Sequence, residues 1–203
     1  MTVVLPNRII ANRLEAGIDE VGRGCLAGPV VAAAVILPID CAIEGLHDSK
    51  KLSAKSREAL SVLIKEQAIA YAIAEVPAPE IDRLNILHAT YRAMNQAVAN
   101  LSVVPEHLLI DGNRFKGEHA IPYDTIVKGD DMVASIAAAS ILAKTYRDHL
   151  MQQYALEYPG YDWEHNVGYG TPKHLEGIRA LGLTPLHRRS FAPCQLTLFD
   201  LKK

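Results

Sequence analysis

The chain has 203 residues, of which 49% are hydrophobic and 22% charged; this is core enough for one ordinary domain and excludes a disordered, collagen-like or disulfide-scaffold protein. With 21 Lys+Arg against 23 Asp+Glu the net charge is −2, which excludes a uniformly basic nucleic-acid coat but leaves room for a local basic face. Three cysteines, Cys25, Cys41 and Cys194, are few and odd in number and point to a reducing, cytoplasmic setting.

Pro6, Arg8 and Arg13 interrupt the start of the chain, where an export signal would need an unbroken apolar stretch. Leu14 to Glu20 and Ala27 to Leu37 read as two strands of a hairpin joined by Gly22-Arg23-Gly24. The apolar run from Val30 to Leu37, closed by Pro29 and Pro38, is far shorter than the roughly 20 residues of a membrane helix. Ser53 caps a helix running to about Gln67, and a strand follows over Ile69 to Val76. Pro79 opens a short helix. From Ile86 to Asn100, Leu87, Tyr91, Met94 and Val98 recur at helical spacing. His107 to Asp111 and about Ile121 to Lys128 read as strands, and Met132 to about Glu157 as the longest helix, Ala-rich at its start. Beyond Tyr158 the composition shifts to Tyr, Gly, Pro, His and Arg, with a short helix from Pro172 to Leu181. The alternation is that of an α/β domain carrying a small C-terminal appendage.

Asp19, Glu20, Asp111 and Asp130 sit at the boundaries of apolar elements, where sites form in α/β folds. Acids converging in one cleft raise each other's pKa unless a cation neutralises them, so such a cluster calls for a hard metal, Mg²⁺ or Mn²⁺. Taken one at a time, each acid reads equally as a turn or helix cap, and Asp131 is read as a cap. Asp19 and Glu20 pose a further condition: neighbours on a strand face opposite ways, so both serve one site only if the strand ends or bulges there. Gly22 and Gly24 around Arg23 suit a backbone that approaches a phosphate or sugar hydroxyl, or simply a tight turn. Asp48-Ser49-Lys50-Lys51 with Lys55 and Arg57 offers phosphate contacts at a helix start, or a solvated charged face. Tyr169, between Gly168 and Gly170 and followed by Lys173 and His174, offers a stacking platform for a sugar or base, or a packed loop aromatic.

In chain order, Asp-Glu-Val-Gly-Arg-Gly, Asp-Ser-Lys-Lys-Leu-Ser, Leu-Ile-Asp-Gly-Asn, Lys-Gly-Asp, Ala-Ala-Ser-Ile-Leu-Ala-Lys, Gly-Tyr-Gly-Thr and His-Arg-Arg-Ser-Phe resemble the motif series of bacterial ribonuclease HII, from about Leu14 to Phe191. The resemblance implies a ribonuclease H-like mixed sheet flanked by helices, with a catalytic domain over 1–157, a substrate-sensing helical segment over 158–191 and a tail over 192–203. It implies an endonuclease acting on the RNA strand of RNA–DNA hybrids and at single ribonucleotides in duplex DNA, with two divalent ions, 5′-phosphate and 3′-hydroxyl products, and a monomeric state. Asp19, Glu20, Asp111 and Asp130 match the family's metal-binding acids; Gly22, Arg23 and Gly24 its ribose-contacting loop; Tyr169 its junction-stacking tyrosine; Ser49, Lys50 and Lys51 a backbone-contact segment. Two positions depart: Asp131 stands where serine is common, adding negative charge beside the site, and Cys25 stands where proline is frequent.

The tail carries Gln195-Leu196-Thr197-Leu198-Phe199, which resembles the short peptide that docks bacterial repair proteins on the DNA polymerase sliding clamp, with Gln195, Leu196, Leu198 and Phe199 as its anchors. A terminal strand is the plainer reading. Two other functions compete with a ribonuclease: another metal-dependent polynucleotidyl enzyme of the same fold, and a catalytically silent hybrid-binding protein.

Overall fold

The computed structural model describes residues 5–10, 12–46 and 52–195. Five strands form one mixed sheet: β1 (Glu15–Val21), β2 (Val30–Ile36), β3 (Ala70–Val76), β4 (His107–Asp111) and β5 (Tyr123–Ile126), in the order β3-β2-β1-β4-β5. β1, β2 and β3 pair antiparallel, while β4 joins β1, and β5 joins β4, in parallel. β2 is buried on both faces, which explains its unbroken apolar sequence. Val31, Ala33 and Val35 point to one layer, built with α1 (Ala54–Gln67) and α4 (Ala134–Glu157). Ala32, Ala34 and Ile36 point to the other, built with α2 (Ala78–Leu84) and α3 (Ile86–Ala99).

The expected cap at Ser53 is present, its hydroxyl accepting from the Ser56 amide; at α3 the Asn85 side chain accepts from the amides of Leu87 and His88. α4 crosses β1 so closely that a Cβ on Gly17 would overlap the backbone of Ser135 and Ile136, so glycine here fixes the distance between helix and sheet.

Four expectations need correction. The β1–β2 connection spans residues 22–29 rather than a three-residue turn, because Ala27 leaves the hairpin to bridge to His187. β5 is shorter than expected, since Pro122 has no amide to pair and Lys128 turns left-handed at φ 58°. α4 begins at Ala134, after a single tight turn over Gly129–Asp131, and its N-cap is Val133 without a side-chain bond, so Asp131 does not cap it. One helical turn, α5 (Trp163–Asn166), precedes α6 (Pro172–Leu181) and has no counterpart in the sequence reading. It carries Trp163 into a separate small core with Met151, Tyr161 and Ile178.

Candidate active site

β1 does not end or bulge at the acidic pair: its pairing with β2 continues to Val21↔Val31. What ends is the other ladder. The β1–β4 pairing stops at Ile18↔Ile110, leaving the β4 side of β1 open from Asp19 onward. Asp19 faces α4 and Glu20 faces α3, as strand alternation demands, but Glu20 lines depressions on both sides. One holds Asp111, Asn113, Arg23 and Thr90; the other holds Asp19, Arg57, Ser140, Lys144 and Tyr169. The open edge thus replaces the strand end or bulge expected from the sequence.

Asp111 closes β4, and its Oδ1 accepts from the amide of Gly129 at 2.7 Å, which ties the Asp130 turn to the same sheet end. Asp130 is buried and Asp131 exposed, so the extra charge points to solvent and the family-like position is the inward one. The Asp19 carboxyl accepts from the Glu20 amide at 2.7 Å and from Ser140. Burial nevertheless pushes its pKa well above the usual carboxylate range, with the charges of Glu20 and Asp111 adding to the shift. Burial also raises Glu20; Arg23, donating at 3.0 Å, works against that rise and Asp111 adds to it.

Asp19 and Asp130 are buried and Glu20 and Asp111 partly so, a carboxylate donor set that fits hard divalent cations. The acids are not one tight cage. Among the described residues only Asp162, Glu164 and His165 bring three ligand atoms within 4.8 Å of one another, on the C-terminal segment, where Asp162 is already bonded to His165 at 2.8 Å. Positive groups stand nearby: Lys144 and Arg57 both bond Asp148, at 2.6 and 3.3 Å, beside the depression that holds Asp19.

The Gly22–Gly24 loop leaves the same end of β1, and its far end meets Tyr169, whose ring lies 3.8 Å from where a Cβ on Gly24 would sit. Tyr169 is partly exposed, which leaves ring surface free to stack. Ser49, Lys50 and Lys51, with Asp48, lie outside the described residues, as do Leu196, Leu198 and Phe199. Gln195 is exposed and donates to the Ser190 carbonyl at 2.9 Å.

A family model for ribonuclease HII matches residues 16–194. The chain belongs to the ribonuclease HII family. It is 58% identical over 188 residues to ribonuclease HII of Parabacteroides distasonis, covering 92% of this chain and 94% of that one. Ribonuclease HII of Bacteroides fragilis is 57% identical over 190 residues, with the same coverage. Among solved structures, ribonuclease H2 of Pyrococcus horikoshii superposes with a TM-score of 0.76 at 24% identity, over 89% of this chain and 95% of that one. The RNase HII of Archaeoglobus fulgidus, solved in complex with PCNA, gives 0.72 at 25%, over 92% and 100%. This member of the ribonuclease HII family is therefore a ribonuclease H enzyme with the ribonuclease H-like mixed sheet.

Two groups in the tail of the chain do other work than the sequence suggested. His174, grouped with Tyr169 as a stacking partner, is buried; its Nδ1 donates to the Tyr169 carbonyl at 2.9 Å, and its Nε2 meets Trp163 Nε1 at 2.9 Å and His187 Nε2 at 3.1 Å. Arg188, of the His-Arg-Arg-Ser-Phe motif, is fully buried. Arg147, which the sequence motifs do not single out, is buried as well. The signal was present, since Arg147 falls on the buried stripe of α4 between Ile136, Ser140, Ala143 and Met151.

Proposed function

We propose that this enzyme hydrolyses the RNA strand of RNA–DNA hybrids and nicks on the 5′ side of single ribonucleotides in duplex DNA, leaving 5′-phosphate and 3′-hydroxyl ends. Its cellular roles on this reading are ribonucleotide excision repair and RNA primer removal in the cytoplasm, as a monomer. The observation that carries the proposal is the meeting of Asp19, Glu20 and Asp111 at the open edge of β1, with the Gly22–Gly24 loop and Tyr169 beside them.

Asp19, Glu20, Asp111 and Asp130 would hold Mg²⁺ or Mn²⁺; one neighbour of the same fold, RNase HIII at 22% identity, was solved with Mn²⁺. When bound, two divalent ions supply an acidified attacking water and charge stabilisation for the departing 3′ oxygen. The backbone of Gly22, Arg23 and Gly24 meets the ribose 2′-hydroxyl, the feature that separates RNA from DNA. Tyr169 stacks at the RNA-to-DNA junction, and Ser49, Lys50 and Lys51 contact the phosphate backbone. Residues 1–157 form the catalytic domain on this reading, residues 158–191 sense the substrate, and residues 192–203 tether the enzyme to the sliding clamp through Gln195, Leu196, Leu198 and Phe199. The archaeal relative solved with PCNA supports a clamp partner.

A duplex carrying one ribonucleotide, incubated with Mg²⁺, Mn²⁺ or EDTA, tests the reaction. Metal-dependent nicking 5′ of the ribonucleotide is expected, with Asp19→Asn near background yet still binding. Cutting of all-DNA duplex would point to another polynucleotidyl enzyme, and binding without nicking to a silent hybrid-binding protein. Deleting residues 195–203 should abolish clamp binding and spare cleavage of short duplexes; unchanged clamp affinity would refute the tether.

A further inference from the structure

The loop over residues 22–29 is held through its carbonyls by two buried arginines from distant parts of the chain. Arg188 donates through Nη2 to Gly22 O at 2.7 Å, through Nη1 to Arg23 O at 3.0 Å, and through Nε and Nη2 to Gly28 O at 3.0 and 2.9 Å. Its own amide donates to Leu26 O at 2.8 Å. Arg147 takes the carbonyls of Pro29, Ala27 and Val167 at 2.8 to 3.0 Å. Gly22 has φ 89°, and a Cβ there would overlap Arg147 Nε, so the loop conformation and the arginines fit each other only with glycine at this position.

In a planar trans peptide the C=O and the following N–H point in opposite directions. With the carbonyls of Gly22 and Arg23 turned onto Arg188, the amides of Arg23 and Gly24 point away from it. We infer that Arg188 is a positioning residue for substrate discrimination: by holding two consecutive loop carbonyls, it aims the Arg23 and Gly24 amides as donors toward a ribose hydroxyl. The inference rests on the proposed reading of this loop as the ribose contact. A lysine cannot substitute, because the three carbonyls are spanned by a planar fork of three nitrogens rather than a single ammonium. The cation is retained at neutral pH even though burial draws its pKa down to about 10. The Phe191 ring, 5.1 Å from the Arg188 guanidinium carbon, supports the fork from the side.

The test compares wild type with Arg188→Lys, binding all-DNA duplex and the same duplex carrying one ribonucleotide, in Ca²⁺ to limit turnover. If the Arg188→Lys protein is folded, its preference for the ribonucleotide duplex should fall by about tenfold, the equivalent of one lost hydrogen bond, with all-DNA affinity within about twofold of wild type. An unchanged preference in a folded Arg188→Lys protein overturns the inference. Amide exchange on the wild type decides the matter even if every Arg188 variant unfolds. The Arg23 and Gly24 amides should exchange fast in the free protein and be slowed more by the ribonucleotide duplex than by all-DNA duplex. Protection of both amides in the free protein would overturn the assigned direction. A wild type indifferent to the ribose would sink the reading of the loop itself, while fast exchange of the two free amides would still uphold their orientation by Arg188.

Discussion

Two of the regions in which the molecule buries polar groups have different outcomes. At the open edge of β1, Asp19 and Glu20 lie within each other's field and that of Asp111, and the carboxyls are held above their ordinary range because burial and like charge are incompletely offset. In the C-terminal segment, Trp163, His174, His187 and Thr184 form a chain in which a single set of tautomers satisfies every ring nitrogen. His174 donates from Nδ1 to Tyr169 O and accepts at Nε2 from Trp163 and His187, and His187 accepts at Nδ1 from Thr184. A fully paired network specifies structure; a cluster left short of countercharge marks a place that needs something else to complete it.

The contrast can be broken most severely at its best-satisfied atom. His174→Ala would orphan the Trp163 and His187 donors, leave the Tyr169 carbonyl with only the Thr171 amide, and open a cavity, costing about 3 kcal/mol by urea unfolding. It should also loosen the Tyr169 loop, which near-ultraviolet circular dichroism reports.

Titration separates the regions by sign. Burial, reinforced by His174, draws His187 down to about 4 from an ordinary 6.5, so the unfolded chain binds its proton first as pH falls. The stabilisation from this group is complete above 6.5 and is lost as pH falls through about 4, an expected loss of about 2 to 3 kcal/mol across that window. Asp19 and Glu20 act oppositely: with folded values raised, they favour the fold when protonated and penalise it as pH rises. His187→Phe should flatten the acid limb of the stability profile; an unchanged limb would assign it elsewhere.

A smaller effect comes from Asp19→Asn in EDTA at neutral pH, which should raise stability by about 1 kcal/mol while abolishing cleavage, the familiar opposition of stability and activity. The smallest is Arg23→Ala. Its ion pair with Glu20 is half exposed, so thermal unfolding should shift by less than about 1 kcal/mol.

The sequence made the well-patterned parts legible. Short apolar runs located β1, β2 and β4, and Ser53 marked where α1 begins. Asp19, Glu20 and Asp111 stood out because acids at strand ends contradict the apolar runs before them. The two arginines are not legible from hydropathy, which assigns a guanidinium to the surface, and all but one of their acceptors are backbone carbonyls 118 to 166 residues distant in the chain. The open edge of β1 escaped for a similar reason, since it depends on where a parallel partner 92 residues later stops pairing. α5 is a single turn, too short for periodicity to register.

That sequence separation has a consequence in time. The loop at residues 22–29 is synthesised first, and the guanidinium that holds Gly22 arrives 166 residues later. Closing so long a loop is slow and entropically costly, and its contacts are non-local. A nascent chain therefore carries its acids on β1 well before it can set the backbone beside them, and the loop is held in place only once Arg188 has been made.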